Sequence, residues 1–431
     1  MKYNIRWIIL AIVILASFVA YVLRTNVSIV TAVMGKDLGL TEIHIGLIFS
    51  AFAAGYAIFQ FPGGVLGAKY GPRLIIALLA VGWGILTLLT AIVPGTDMAS
   101  VFTVVAMLMV VRFLVGATHA PFFPCVGGSV IANWFPAGGW GLPNGLSSTG
   151  LTLGAAATAP FIVWLMESYG WREAIAMTAP FAFVVAGLWW WYVRDYPKEH
   201  SSVTPREREL IDKNRTFSEK EQKGAWKQVL LNREILLLTG SYFCMNYVFY
   251  LFFNWFFYFL TEVKGFSGTE AGFLTASLWV IGAVGATVGG FACDISIRRF
   301  GYRMGPRIIC FVSLVLCGVL LFAGAVSESP YLAVTLFCLC FGLTQITEAA
   351  FWSTSISVAG RYASAAGGVM NTGGNVVGFI GGTLVPVTAA SFGWTAAIAT
   401  GSIFAIIGAV LWLFIRGDEE MIVPAESSKA A

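Results

Sequence analysis

Charge is what this sequence lacks most. Of its 431 residues only 11% are Asp, Glu, Lys or Arg, while 58% are hydrophobic. A water-soluble globular chain carries about 25% charged residues. So large a deficit excludes a wholly solvated surface, and most of the exterior has to face lipid. Histidine is scarce too, with three residues in the whole chain. The seven cysteines (Cys125, Cys244, Cys293, Cys310, Cys317, Cys338 and Cys340) fall in or at the ends of apolar stretches without metal-ligand spacing. They read as small hydrophobes, which excludes a metal centre and a secreted disulfide framework. No glycine-rich loop is followed by a P-loop lysine, so runs such as Gly373-Gly374 are helix-packing sites. A nucleophile–base pair and a nucleotide motif are missing as well, so an enzyme and a bound cofactor are not expected. A signal peptide is not expected either: the apolar N-terminus runs from about Trp7 past Val33, beyond the length of a signal core, without a small-residue cleavage site.

What the chain does have is a series of apolar runs, each near the roughly 20 residues that cross a bilayer. They lie near 7–34, 44–68, 74–94, 101–131, 142–166 and 173–193, then near 235–260, 270–293, 306–326, 331–358, 365–389 and 395–415. The expected fold is an all-α membrane protein with 12 transmembrane helices in two six-helix halves, 1–193 and 235–431, joined by a hydrophilic loop over 194–234. In that loop Thr204-Pro205, followed by acidic and basic residues, reads as the start of a surface-lying helix. Lys2, Arg6, Lys69, Arg73, ten basic residues of the central loop, Arg298, Arg299, Arg303, Arg307, Arg361, Arg416 and Lys429 all fall on one side. Only Lys36, Arg172 and Lys264 fall on the other. The positive-inside rule therefore puts both termini and the central loop in the cytoplasm of a multi-pass inner (plasma) membrane protein. The net charge of +4 records this sidedness and points to no nucleic-acid partner.

The halves repeat each other. "SYGWREAIAM" from Ser168 matches "SFGWTAAIAT" from Ser391, and "GGVLGAKYGPR" from Gly63 aligns loosely with "GGFACDISIRRFGYR" from Gly289. Gly116 and Gly342 also correspond. Six plus six spans in parallel repeats resembles the major facilitator architecture, whose substrate site lies between the halves near the midplane.

More specific strings narrow the resemblance. "YVLRTNVSIV", "RFLVGATHAPFFP" followed by "NWFP", "WYVRDYPKEHSSVTPREREL", "YLFFNWFFYFL" and "RYASAAGGVMNTGGNVVGFIGGTLVP" stand in the order found in the anion:cation symporter family. That family includes hexuronate, galactonate and glucarate transporters, sialin and the vesicular glutamate transporters. The resemblance covers nearly the whole chain. It implies a secondary transporter for a small organic anion, working as a monomer and coupled to protons or sodium. The family's signature Asp after the second span is Ala68 here, while Asp294 keeps it in the second half. In proton-coupled relatives an Asp precedes the first-span Arg and a Glu follows the Arg-x-x-x-Gly motif; those positions are Leu23 and His119.

Two basic residues lie deep in spans, Arg24 and Arg112. An arginine at mid-bilayer costs about 2.5–3.5 kcal/mol on insertion scales, so it needs a partner or a wet cavity. At 1.5 Å per residue both lie about 17 Å below the outer surface. Two guanidiniums at one depth form a carboxylate clamp, each offering a planar donor fork. The competing expectation is that Arg112, which opens the Arg-x-x-x-Gly pattern, is structural. Tyr21 shares the face of Arg24. Glu348 is the one acid deep in a span, and His119, two turns below Arg112, is a candidate coupling group. Glu348 and His119 lie at similar depth, so a pair between them is conceivable. Further cavity candidates are Tyr56 and Gln60; Tyr247, Tyr250 and Asn254; Gln345 and Trp352; and Asn371 and Asn375. Polar residues in spans also serve simply to bond neighbouring helices. A cationic-drug exporter is disfavoured because it calls for acids in the cavity. An inorganic-anion porter, an uncoupled anion exchanger and a transporter-like sensor remain open alternatives.

Overall fold

The computed structural model describes residues 4–135, 141–212, 230–359 and 363–418. Their regular structure is helical, and helices long and apolar enough to cross a membrane dominate it. The first half holds spans at Ile5–Asp37, Glu42–Tyr70, Pro72–Ala91, Val101–Ile131, Gly141–Tyr169 and Trp171–Tyr192. The second half begins with Arg233–Val263. One helical run, Gly268–Val326, turns at Gly301 and supplies the eighth and ninth spans. Pro330–Ala359 is the tenth, and Ala363–Trp412 turns at Gly393 to give the eleventh and twelfth. Leu78, Val110, Trp191, Phe291, Phe322 and Ile403 stand exposed on this bundle, as a lipid-facing surface requires.

Local chemistry sets the helix starts. Thr41, Ser100, Asn232 and Ser267 each accept a first-turn amide at the head of a span. The surface helix expected after Thr204 is Pro205–Asp212, and the Thr204 hydroxyl accepts the Glu207 amide at 3.2 Å.

The repeats seen as strings are repeats in space. Gly170 and Gly393, the glycines of the two "Gly-Trp" copies, both have positive φ, 94° and 83°, and each turns the chain between two spans. Within each half, glycines let backbones touch. A Cβ on Gly116 would overlap the Phe52 carbonyl oxygen, joining the fourth span to the second. A Cβ on Gly285 would overlap the Gly342 carbonyl oxygen, joining the eighth to the tenth.

The face that bears Ile5 and the turn after the second span is tied together by carboxylates. At the turn after the second span, where the family signature has Asp and this chain has Ala68, the acid comes from Asp195. It accepts the Arg73 amide at 2.8 Å, and burial pushes its carboxyl above the usual carboxylate range, against the pull of that amide. Asp294, the acid expected to serve the second half, lies outside the residues whose side chains are described. Glu207 is buried and accepts the amides of Ile5 and Arg6, each at 3.1 Å, so the central segment caps the first span. Glu207→Ala should lower the melting temperature by a few degrees in detergent, since two amides lose a buried acceptor worth about 1–3 kcal/mol. An unchanged melting curve would count against that cap.

A set of hydrogen bonds and an ion pair that join the two halves lies toward the opposite face. Lys36 pairs with Glu262 at 2.8 Å, and Glu42 accepts from Tyr258 at 3.2 Å and Trp394 at 3.3 Å. Ser50 donates to the Phe379 carbonyl at 2.7 Å, and Thr269 donates to Glu167 at 3.0 Å. At mid-depth the contact passes to rings, with Tyr21 set edge-on against Trp279 at 6.3 Å.

Candidate substrate-binding site

Arg24 is buried on the first span, and its neighbours are aromatic rather than acidic. Its guanidinium lies 5.2 Å from the Tyr21 ring, 5.2 Å from Phe52, 4.6 Å from Tyr56 and 4.9 Å from Phe253. Three of these rings belong to the first half, and Phe253 comes from the seventh span. Each ring face contributes about 0.5–2 kcal/mol of cation–π attraction, enough together to offset much of the cost of burying the charge. The Tyr21 hydroxyl receives a long bond of 3.5 Å from Nη1, and the Tyr56 and Tyr250 hydroxyls are hydrogen-bonding neighbours. Nε has no partner.

Arg112 reaches the same place from the fourth span. Its Nη2 donates to the Arg24 carbonyl at 3.4 Å, its guanidinium lies 4.8 Å from the Phe52 ring, and its Nε is also unpartnered. Phe52 is thus shared by both cations. Among the described residues neither arginine has a carboxylate within ion-pair distance. Below them His119 ties the fourth span to the first. Its Nδ1 lies 2.9 Å from the Val115 carbonyl and its Nε2 lies 3.2 Å from that of Ala20, while its ring stacks on Trp83 at 4.7 Å. Both nitrogens face acceptors, so a neutral imidazole, with one N–H, satisfies one of them and only the imidazolium satisfies both.

The second half supplies the opposite wall. Tyr250 donates to Asn375 Oδ1 at 2.7 Å, and Asn375 Nδ2 donates to the Asn371 carbonyl and side-chain oxygens at 2.7 and 3.0 Å. Glu348 accepts from the Tyr242 hydroxyl at 3.2 Å and from Trp352 Nε1 at 3.1 Å. The conceivable Glu348–His119 pair is therefore not formed: each group is held by other partners within its own half.

The structure brings Arg24, Arg112, Tyr21, Tyr56 and Tyr250 into one cluster, with Asn375 and Asn371 linked to it. Gln60 is buried one turn beyond Tyr56, its Oε1 unpartnered. Asn254 is buried one residue past Phe253, and Gln345 faces the eighth span at Gly282. Tyr247 is directed elsewhere. Its hydroxyl bonds Thr400 at 2.7 Å and its ring stacks on Phe404 at 4.1 Å, so it packs the seventh span on the twelfth. A seven-residue helical face spreads over enough arc for its first member to meet a different neighbour. The sequence reading missed Phe52, Phe253, Trp83 and Tyr242. Phe52 precedes Tyr56 by one turn and carried a local signal; the others are brought in only by packing.

Comparison with known proteins identifies the family. Residues 13–382 match the family model of the Major Facilitator Superfamily. The probable sulfoacetate transporter of Cupriavidus necator is 32% identical over 378 residues, 87% of this chain and 85% of that protein. The probable galactarate/D-glucarate transporter of Bacillus subtilis is 29% identical over 95% of this chain and 92% of its own length. Among solved structures, a bacterial homologue of the human lysosomal transporter Spinster matches with a TM-score of 0.77 at 17% identity, over 96% of this chain and 97% of that one. The family model over residues 13–382 and these relatives make the chain an anion transporter of the Major Facilitator Superfamily.

Proposed function

We propose that the chain is a secondary transporter of a small organic anion, a carboxylate such as a sugar acid, driven by a proton gradient. The observation that carries this reading is the pair of buried guanidiniums without a carboxylate partner among the described residues. Such a pair is a site for an anion that the protein itself does not supply. The relatives, named for sulfoacetate and for galactarate and glucarate, support the substrate class. The charge bias of the loops supports cytoplasmic termini in an inner membrane. With that orientation the contacts joining the halves close the outer side, and the conformation faces inward. The site needs residues of one chain only, which supports a monomer as the working unit.

Coupling follows from charge. A proton on His119 places a third cation beneath Arg24 and Arg112. An anion between the arginines lowers the cost of that third charge, so anion and proton bind best together, and the linkage is reciprocal. The His119 clasp between the first and fourth spans also joins proton occupancy to the packing that has to change in alternating access.

Uptake into proteoliposomes from a panel of carboxylates, with and without an imposed pH gradient, tests both parts. Carboxylate accumulation that follows the gradient is expected. His119→Gln should leave downhill exchange and remove accumulation. Uptake of neutral sugars in place of carboxylates would defeat the anion reading, and gradient-independent accumulation would defeat the coupling.

A further inference from the structure

Little around His119 favours a proton electrostatically. Among the described residues no carboxylate lies within ion-pair distance of it. Arg112 stands two turns above it on the same span, and Arg24 stands one turn above Ala20, whose carbonyl the imidazole meets. Both cations oppose a charge on the ring. The tyrosines nearest this place, Tyr21 and Tyr56, lie against Arg24 instead. From the second span comes Phe52, uncharged, its ring 6.3 Å from the imidazole. The third span brings Trp83, whose ring is 4.7 Å away and only 25° from parallel, so that its π face covers the imidazole. Trp83 is fully buried and held in place. Its Nε1 donates to the Thr118 carbonyl at 3.1 Å, and Phe122 packs edge-on against it at 5.3 Å.

We propose that Trp83 is a positioning residue for the coupled proton: its indole face holds the imidazolium of His119 against the two arginines, and so sets the pH range in which uptake follows the proton. The carbonyls of Val115 and Ala20 help, but one of them is bonded by the neutral ring as well. The indole face discriminates by charge. It attracts a cation through its quadrupole and offers a neutral imidazole only stacking. Tryptophan is the strongest ring for this purpose, and the attraction grows where water is excluded, as it is around a histidine only 5% exposed. Trp83 thus acts through His119. This inference rests on His119 as the coupling group.

The chain has three histidines, so NMR of isotope-labelled histidine in the full, detergent-solubilised protein reads His119 directly, with His119→Gln identifying its signal. Trp83→Leu removes the π face, and the protonation midpoint of His119 should fall by about one pH unit. The alkaline limit of gradient-driven carboxylate uptake into proteoliposomes should fall with it. Trp83→Phe keeps a ring face but loses the N–H to Thr118, and it should move both midpoints less than about half as far. If the leucine variant is not recovered from the membrane, Trp83→Met, which also lacks a ring, reads the same shift. A midpoint unmoved in the ringless variant overturns the inference and leaves the coupling reading standing. An equal shift in the phenylalanine variant overturns it too, since the lost N–H or packing then accounts for the effect. Shifted titration with uptake indifferent to the pH gradient defeats the coupling reading, while the hold of Trp83 on the proton stands. No titration of His119 across about pH 5–9 defeats both.

Discussion

Arg24→Ala should lower uptake kcat/KM by at least about 30-fold, because truncating a desolvated charge partner costs roughly 2–5 kcal/mol and each 1.4 kcal/mol is tenfold. Arg24→Lys should not restore it. The guanidinium lies among four rings and presents a planar fork, whereas an ammonium is a compact, strongly hydrated point charge. The variants should still fold. No described carboxylate is paired with Arg24, so none is left buried and uncompensated when it goes, and the tyrosine hydroxyls around it can take up water. A monodisperse profile in detergent with lost uptake is the expected combination. Lysine at this position transporting within about threefold of the unaltered protein would remove Arg24 from the centre of the site.

Gly46→Val should act just as strongly without touching the site. A Cβ at Gly46 would overlap the Gly382 carbonyl oxygen and stand 2.6 Å from Pro386 Cγ. Both belong to the eleventh span, whose backbone cannot turn aside as a flexible side chain would. Ser50, one turn along, is bonded to Phe379 and Thr383 of that same span. The closed seam thus needs glycine at position 46. Overpacking of this kind costs about 1–3 kcal/mol. Placed on one of two conformers, that cost shifts their ratio roughly 5- to 150-fold. Uptake should fall by at least about tenfold, as the seam can no longer close. A cysteine introduced at Phe49, buried in the seam against Trp255 at 5.4 Å, should then react with a membrane-impermeant maleimide added to the seam side. Gly187→Ala, where a Cβ meets nothing within 4 Å, is the neutral control. Unaltered uptake and labelling in Gly46→Val would show that the seam does not govern the cycle.

Much of this was legible before any coordinates, for identifiable reasons. A span must be apolar over its whole length, so hydropathy alone marks it. The Gly-Trp strings marked the repeat because positive-φ turns at Gly170 and Gly393 tolerate few other residues. Arg24 and Arg112 stood out because an arginine in hydrocarbon is rare and costly. Tyr21 was readable from its spacing, one turn from Arg24 on the same helix.

Other features were not readable in this way. Tyr247 and Tyr250 look equivalent in the chain, yet one packs on the twelfth span and the other reaches Asn375. Which neighbour a helix face meets depends on crossing angle and rotation, and nothing in a span's own composition records these. His119 invited pairing with Glu348 because their depths agree. Depth is one coordinate of three, and the remaining two placed His119 on backbone carbonyls beside Trp83.

The sequence by itself therefore determined the membrane environment, the twelvefold crossing, the internal repeat and the two cations at mid-depth. These are properties of single segments, enforced by the cost of polar groups in lipid. Only the tertiary structure decided that Phe52 is shared by both guanidiniums, that Phe253 closes the cage from the other half, and that Glu348 is held by the neutral donors Tyr242 and Trp352. Those are relations between segments far apart in the chain, and packing alone brings them together.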